Sequence, residues 1–173
     1  MAKSRGLPPE LFDLVPAAFP HIVKVFADCG VTPSELFTLT FIRYNGKNRT
    51  PHEKVVLRSV LAEFISTITP QYTSDSGISN FISDLCDRRL LTKMALTLDE
   101  KEKWYGDGGG RRDGVALTSK GEETIDEFRA AVNELFRTLT DGIPTVLLPP
   151  FQTAVSHLAK SMMIELAKKS GKP

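Results

Sequence analysis

Apolar residues recur every three or four positions over most of the chain, which predicts a largely helical protein. The first stripe predicts a helix from about Pro9 to Ala27, and Pro16 and Pro20 are expected to kink or segment it. The next stripe lies in "VTPSELFTLTFIRYNGK", where Thr32 is a candidate cap and Glu35 completes a capping box. The sequence therefore opens with two amphipathic helices joined by a short turn.

Two more stripes predict the helices that follow. One helix is expected from about Pro51 to Ile68, opened by a Thr-Pro step. After the turn "TPQYTSDS", another is expected from about Ser76 to Arg88, with an apolar side formed by Ile78, Phe81, Ile82 and Leu85. Its opposite, solvent-facing side would carry Ser76, Ser79, Asn80 and Ser83.

The second half of the chain changes to a strand-like pattern. The runs "LLTKMALTL" and "DGVALT" are short and flank a glycine-rich stretch, which predicts a β-hairpin with a mobile tip. A long helix is expected after Thr118 or Ser119 as the cap. Gly142 and three prolines break that pattern before a last predicted helix, about Phe151 to Lys169.

Composition narrows the function more than the fold. The 173 residues carry a net charge of +1, so any site for a polyanion must arise from local clustering of Lys and Arg. Two cysteines are too few for a disulfide framework, and no apolar run approaches the length of a membrane span. We therefore expect a soluble, cytoplasmic protein without membrane partners.

Three helices followed by a β-hairpin describe a winged helix-turn-helix, which places the helix before the hairpin in the DNA major groove. The hairpin, or wing, then reaches the backbone or the minor groove. Its glycine-rich tip in "KWYGDGGGRRDGVALTSKG" contains Arg111 and Arg112, which are placed to neutralise phosphates. A nucleotide-binding phosphate loop does not fit, because this glycine run leads into a strand rather than a helix.

The stretches "SGISNFISDLCDRRLLTK" and "RRDGVALTSKG", with a long helix after them, resemble the multiple antibiotic resistance regulator (MarR) family. Leu117, Thr118 and Gly121 match the Leu-Thr-x-x-Gly signature of that family, and Arg111 falls at its wing arginine. Gly109 stands where the family has a wing aspartate, and Arg89 stands where a turn glycine is common, so that turn is expected to differ in shape.

The resemblance implies a homodimeric DNA-binding transcriptional regulator, usually a repressor, that binds a pseudo-palindromic duplex. Residues 1–30 and 119–173 would form the helical dimerisation region, and residues 31–118 the winged helix-turn-helix region. A small-molecule effector would bind between them and weaken DNA binding. The resemblance and the polar pattern together give the DNA-binding candidates Thr73, Ser76, Ser79, Asn80, Arg88, Arg111 and Arg112.

A second function remains open on the sequence. The segment from Gln71 to Leu85 contains no Lys or Arg and includes Asp75 and Asp84. The alternative is a winged-helix protein-interaction module with weak or lost sequence-specific DNA binding. Arg88, Arg89 and Lys93 either approach phosphates at the end of the recognition helix or form an ordinary solvated rim.

The sequence gives little support for metal binding, catalysis or thiol sensing. The three histidines are far apart in sequence, so a metal site is not expected, and no catalytic spacing or cofactor motif is present. The protein is therefore not expected to be an enzyme. Cys29 and Cys86 are candidates for thiol sensing, but filling space beside helices is the simpler interpretation.

Overall fold

A computed structural model describes residues 9–51, 53–69, 71–72, 74–106 and 112–141. The helices in this part are α1 (Pro9–Asp28), α2 (Pro33–Asn45), α3 (Arg58–Ile68), α4 (Asp75–Asp87), α5 (Leu98–Tyr105) and α6 (Ser119–Thr140). The strands are β1 (Lys47–Thr50), β2 (Glu53–Leu57), β3 (Leu91–Ala95) and β4 (Asp113–Leu117). The predicted helix Phe151–Lys169 lies outside these residues.

The chain divides into two units, Met1–Val132 and Asn133–Pro173. In the second unit the described residues form the end of α6, where Arg137 pairs with Glu134 at 2.7 Å. The division of the chain into a dimerisation region and a DNA-binding region is a different one, and it stays a prediction.

The first two helices follow their sequence signals, with one exception. α1 continues without a break through Pro16 and Pro20, so the expected segmentation is wrong. Each proline removes one N–H donor, and the four-residue spacing places both gaps on one side of the helix. α2 begins with the predicted capping box: the Glu35 amide donates to Thr32 Oγ1 at 3.3 Å, and the Thr32 amide donates to Glu35 Oε2 at 2.7 Å.

The largest difference between the predicted and the observed elements lies between α2 and α3. The predicted helix from Pro51 to Ile68 begins only at Arg58, and the residues before it form the β1–β2 hairpin. In β2, Val55 and Val56 are completely buried on opposite faces of the sheet. A strand buried on both faces does not alternate between polar and apolar residues. Its apolar positions therefore looked like the start of the helical stripe that follows.

The four strands form one antiparallel sheet in the order β1-β2-β4-β3. The predicted β3–β4 hairpin is confirmed, with a register from Leu91 opposite Leu117 to Ala95 opposite Asp113. The addition of β1 and β2 makes the sheet twice as wide as the sequence indicated. One face packs on the main core, whose fully buried side chains include Leu39, Ile42, Leu61, Ile65, Ile82, Leu85 and Val115.

The other face of the sheet is covered by α5, a helix that the sequence pattern did not predict. Its capping box was present in the sequence: the Thr97 amide donates to Glu100 Oε2 at 2.8 Å, and the Glu100 amide donates to Thr97 Oγ1 at 3.1 Å. Arg49 of β1 binds the same carboxylate through two hydrogen bonds of 2.7 and 2.6 Å. The Tyr105 hydroxyl accepts from the Leu57 amide at 3.0 Å, so α5 is held at both ends.

The end of α4 makes a tight turn that determines where the sheet begins. Arg89 has a φ of 59°, the left-handed conformation that usually requires glycine. The Leu90 amide donates to Leu85 O and the Arg89 amide to Cys86 O, both at 2.9 Å, which is the Schellman pattern. The expected difference in turn shape is therefore wrong, because Arg89 adopts the backbone conformation of the glycine it replaces.

The Leu-Thr-x-x-Gly signature fastens α6 to this turn. The Gly121 amide donates to Thr118 Oγ1 at 3.1 Å, which makes Thr118 the cap of α6. The Thr118 amide donates to Leu90 O at 3.2 Å. A side-chain methyl group at Gly121 would overlap the Leu90 carbonyl, so only glycine lets the helix approach this closely.

We expect Gly121→Ala to destabilise the protein by about 1–3 kcal/mol, because the new methyl group meets a backbone carbonyl that cannot move without breaking the turn. Urea unfolding measures this cost. Gly77→Ala is the helical control, since its nearest neighbour is the Ser74 hydroxyl at 3.1 Å, which belongs to a side chain. A Gly121→Ala protein as stable as the wild type would show that the close approach is not required.

The pKa of Glu100 is lowered to about 2, first by its hydrogen bonds with Arg49 and second by the hydrogen bond from the Thr97 amide. The lowered value means that the pair stabilises the fold above the ordinary glutamate pKa, near 4.3, and that this contribution is lost as the pH falls toward 2. We expect Arg49→Met to raise the pKa of Glu100 in an NMR pH titration.

Arg137→Met is the matched control, because it removes an arginine that pairs with Glu134 on α6. It should leave the Glu100 titration unchanged. An unchanged Glu100 pKa in Arg49→Met would contradict the pairing of α5 with β1.

Candidate nucleic-acid interface

α4 has one buried side and one polar side, as its sequence predicted. Ser74 caps it by accepting from the Gly77 amide at 3.1 Å. The inward residues Ile78, Phe81, Ile82 and Leu85 are all buried. The polar face of α4 consists of Ser76, Ser79, Asn80 and Ser83, whose three- and four-residue spacing places them side by side.

The side chains of the polar face differ in how many of their hydrogen-bonding groups are already bonded within the protein. The Ser79 hydroxyl donates to Asp75 O and accepts from Arg58, both at 2.6 Å, so it has little capacity left for a ligand. Asn80 is exposed, and its side-chain carboxamide has no hydrogen-bond partner among the residues that the structure describes. Asn80 is therefore the residue of the polar face best able to bond a base edge.

Two cations from other elements lie beside this face. Arg58, the first residue of α3, binds Ser79, and Lys93 of β3 donates to the Ser83 hydroxyl at 3.0 Å. Both line an open cavity of about 440 Å³ between α4 and the strands β3 and β4. In the sequence, Arg58 lies within a longer predicted helix and shows no sign of a role, since only the fold brings it to α4.

Arg88 has a different environment from the other candidates. Its guanidinium donates to Glu35 Oε1 at 2.6 Å and to Gly30 O at 2.5 Å, and reaches Asp84 Oδ2 at 3.4 Å. Glu35 is buried, so its ion pair with Arg88 fixes the end of α4 to α2, and the bond to Gly30 O adds the turn before α2. These contacts hold the Arg88 side chain in place, and its contact with a phosphate stays a prediction.

The wing is described up to its tip. Arg112 is exposed, and its carbonyl accepts from the Leu96 amide at 2.7 Å, which holds the base of the wing closed. The other tip candidate, Arg111, lies outside the described residues, as does Thr73 ahead of α4. Of the seven sequence-predicted site residues, the fold thus brings Ser76, Ser79 and Asn80 together on one face.

The two cysteines do not have the environment of reactive thiols. Burial, followed by the charges of Glu127 and Asp28, raises the pKa of Cys29. Burial also raises the pKa of Cys86, although Lys93 opposes it. Because the thiolate is the reactive form, these environments disfavour redox sensing. In the described ranges no three His, Cys, Asp or Glu side chains are grouped to hold a metal ion.

The described helices include none that is long and apolar enough to cross a bilayer. Neither a protein-family model nor a curated protein matches the chain by sequence.

Solved structures do match it over most of its length. The S. aureus MepR–DNA complex aligns with a TM-score of 0.58 at 13% identity, covering 90% of this chain and 99% of that one. RV1404 from Mycobacterium tuberculosis aligns with a TM-score of 0.61 at 12% identity, covering 92% and 97% of the two chains. A MarR-family transcriptional regulator from Rhodococcus sp. RHA1 aligns with a TM-score of 0.50 at 16% identity, covering 90% and 96%.

These similarities agree with the element order and the β3–β4 wing. The chain therefore has the winged helix-turn-helix fold of the MarR-family transcriptional regulators.

Proposed function

We propose that this protein is a MarR-type transcriptional regulator, acting in the cytoplasm as a repressor. It binds a pseudo-palindromic duplex site as a homodimer, with α4 in the major groove and the wing against the neighbouring backbone. The polar face of α4 carries this proposal, because Ser76 and Asn80 are exposed on a helix whose other side is fixed in the core. A neighbour of the same fold is known in complex with DNA.

The assignment of roles follows from the availability of each side chain. Asn80 presents a donor and an acceptor, which match the N6 and N7 positions of adenine. Arg112 and Arg111 supply positive charge at the wing, where they neutralise phosphates. Thr73, Ser76 and Ser79 contribute single hydrogen bonds at most.

The dimer is proposed to form through residues 1–30 and 119–173. Support comes from α1, where Phe19, Ile22 and Val23 are 61, 40 and 48% exposed. Three large apolar side chains grouped on one helix are poorly placed in a monomer. A small-molecule effector would act by changing the spacing of the two α4 helices and so weaken DNA binding.

A second candidate function is a protein-interaction module that has lost sequence-specific DNA binding. The observation in its favour is that α4 contains no Lys or Arg but has Asp75, Asp84 and Asp87. The two functions differ in a simple respect, because only the regulator selects a defined sequence from random DNA.

We expect Asn80→Ala to weaken binding to the best selected duplex by about 1–3 kcal/mol and to relax the base preference at one position in each half-site. Fluorescence anisotropy on the selected duplex and its single-base variants measures both effects. Asn48→Ala is the matched control, since it makes the same change at an exposed position of β1, at the opposite edge of the sheet from β3.

Equal affinities for Asn80→Ala and Asn48→Ala would assign base reading to other residues. Failure of the wild-type protein to enrich any sequence would instead favour the interaction module.

We expect Phe19→Asp to shift the protein from dimer to monomer, because it places a charge in the proposed apolar interface. Light scattering distinguishes the 19.1 kDa chain from twice that mass. Phe37→Asp is the control, since Phe37 is similarly exposed, at 55%, but lies on α2. A wild-type monomer, or dimers that survive Phe19→Asp, would contradict this interface.

A further inference from the structure

We infer that Arg58 and Lys93 form a phosphate-binding site that grips the DNA backbone beside the polar face of α4. The inference rests on the proposed function and deepens it, because it identifies where the recognition helix obtains the cations it lacks. The site is the cavity whose lining includes Arg58, Ser79, Ser83, Lys93 and Asp113, called here the Arg58–Lys93 cavity.

Arg58 is held in place but has binding capacity left. One of its terminal nitrogens donates to Ser79 Oγ at 2.6 Å, and Ser79 is itself fixed by its bond to Asp75 O. A guanidinium has five N–H donors, and Ser79 is the one partner recorded for it in the described part of the chain. The half-buried side chain is therefore aimed along α4 with donors available for a phosphate.

Lys93 occupies a matching position on the sheet side of the cavity. Its ammonium donates to Ser83 Oγ at 3.0 Å, one helical turn beyond Ser79. Two of its three donors remain for other acceptors. The two cations thus stand along the same edge of α4, each positioned by a serine hydroxyl.

The position of this edge favours a backbone phosphate as the ligand. Ser79 and Ser83 border Ser76 and Asn80 on the polar face, so a helix that presents Asn80 to bases places the cavity beside the groove. Phosphates line both sides of the groove, and a protein that binds them needs cations at its flank. With no Lys or Arg in α4, Arg58 and Lys93 meet that need from α3 and β3.

Asp113 is the one acidic side chain that lines the cavity. It reduces the charge of the lining groups from two positive charges to one. A phosphate in the cavity would be repelled by this carboxylate. Neutralising Asp113 is therefore expected to strengthen DNA binding, whereas removing Arg58 or Lys93 is expected to weaken it.

The test is a salt titration of binding by anisotropy, on a duplex selected by the wild-type protein and on a scrambled duplex. Each lost phosphate contact should reduce the slope of log affinity against log salt by about one unit, or about two for a homodimer carrying the change in both subunits. Arg58→Ala and Lys93→Ala should each show this loss on both duplexes. Arg58→Lys keeps the charge and should keep most of the slope.

Two further variants sharpen the result. Lys47→Ala removes one exposed cation of β1, at the opposite edge of the sheet from β3, and should leave the slope unchanged, which controls for net charge. Asp113→Asn should tighten binding to both duplexes. Thermal melting checks that each variant is folded, and Lys93→Ala provides the result should Arg58→Ala not fold.

The outcomes separate this inference from the proposed function. If the wild type binds DNA but Lys93→Ala and Arg58→Ala keep its slope, or if Asp113→Asn does not tighten binding, the phosphate site is wrong and the regulator stands. If the wild type binds neither duplex at low salt, the proposed function fails, and this inference fails with it.

Discussion

The contact between Gly121 and the Leu90 carbonyl is the constraint on which the arrangement of the molecule depends. At this point the end of α4, the start of β3 and the start of α6 meet within a few residues. Arg89 must take a left-handed conformation to make the turn, and Thr118 must bond the turn while capping α6. The direction of the polar face of α4 relative to the wing is set by these backbone contacts, because β3 leaves the turn directly after Leu90.

Six cationic side chains of the described residues fall into two groups with different surroundings. Arg43, Arg49 and Arg88 each bind a carboxylate on another element and fasten α2 to α6, β1 to α5, and α4 to α2. Such partly buried pairs orient the elements they join. Arg58, Lys93 and Arg112 instead lie by the polar face of α4 or the wing. A nearly neutral protein can therefore still present local positive charge where DNA would bind.

Sequence signals predicted those elements whose ends or faces are determined locally. The capping box of α2, the buried side of α4 and the β3–β4 hairpin all follow from short patterns. The pattern failed at Lys47–Leu57, where β2 is buried on both faces and its apolar run fits a helix equally well. The helix α5 was not predicted either, although Thr97 and Glu100 carry the same capping signal as α2. This helix is short and mostly charged, so it has no apolar stripe.

The sequence by itself determined most of the helices, the β3–β4 hairpin and the polar face of α4, since these depend on residue spacing. The need for glycine at position 121 arises from the tertiary structure, because the Leu90 carbonyl that it approaches lies far away in sequence. Only the tertiary structure decided which charged side chains are used in internal ion pairs and which lie beside the polar face of α4. It placed Arg88 against buried Glu35 and brought Arg58 to Ser79 across 21 positions of sequence. Long-range ion pairs of this kind leave no periodic signal, because each depends on how separate elements pack around a common core.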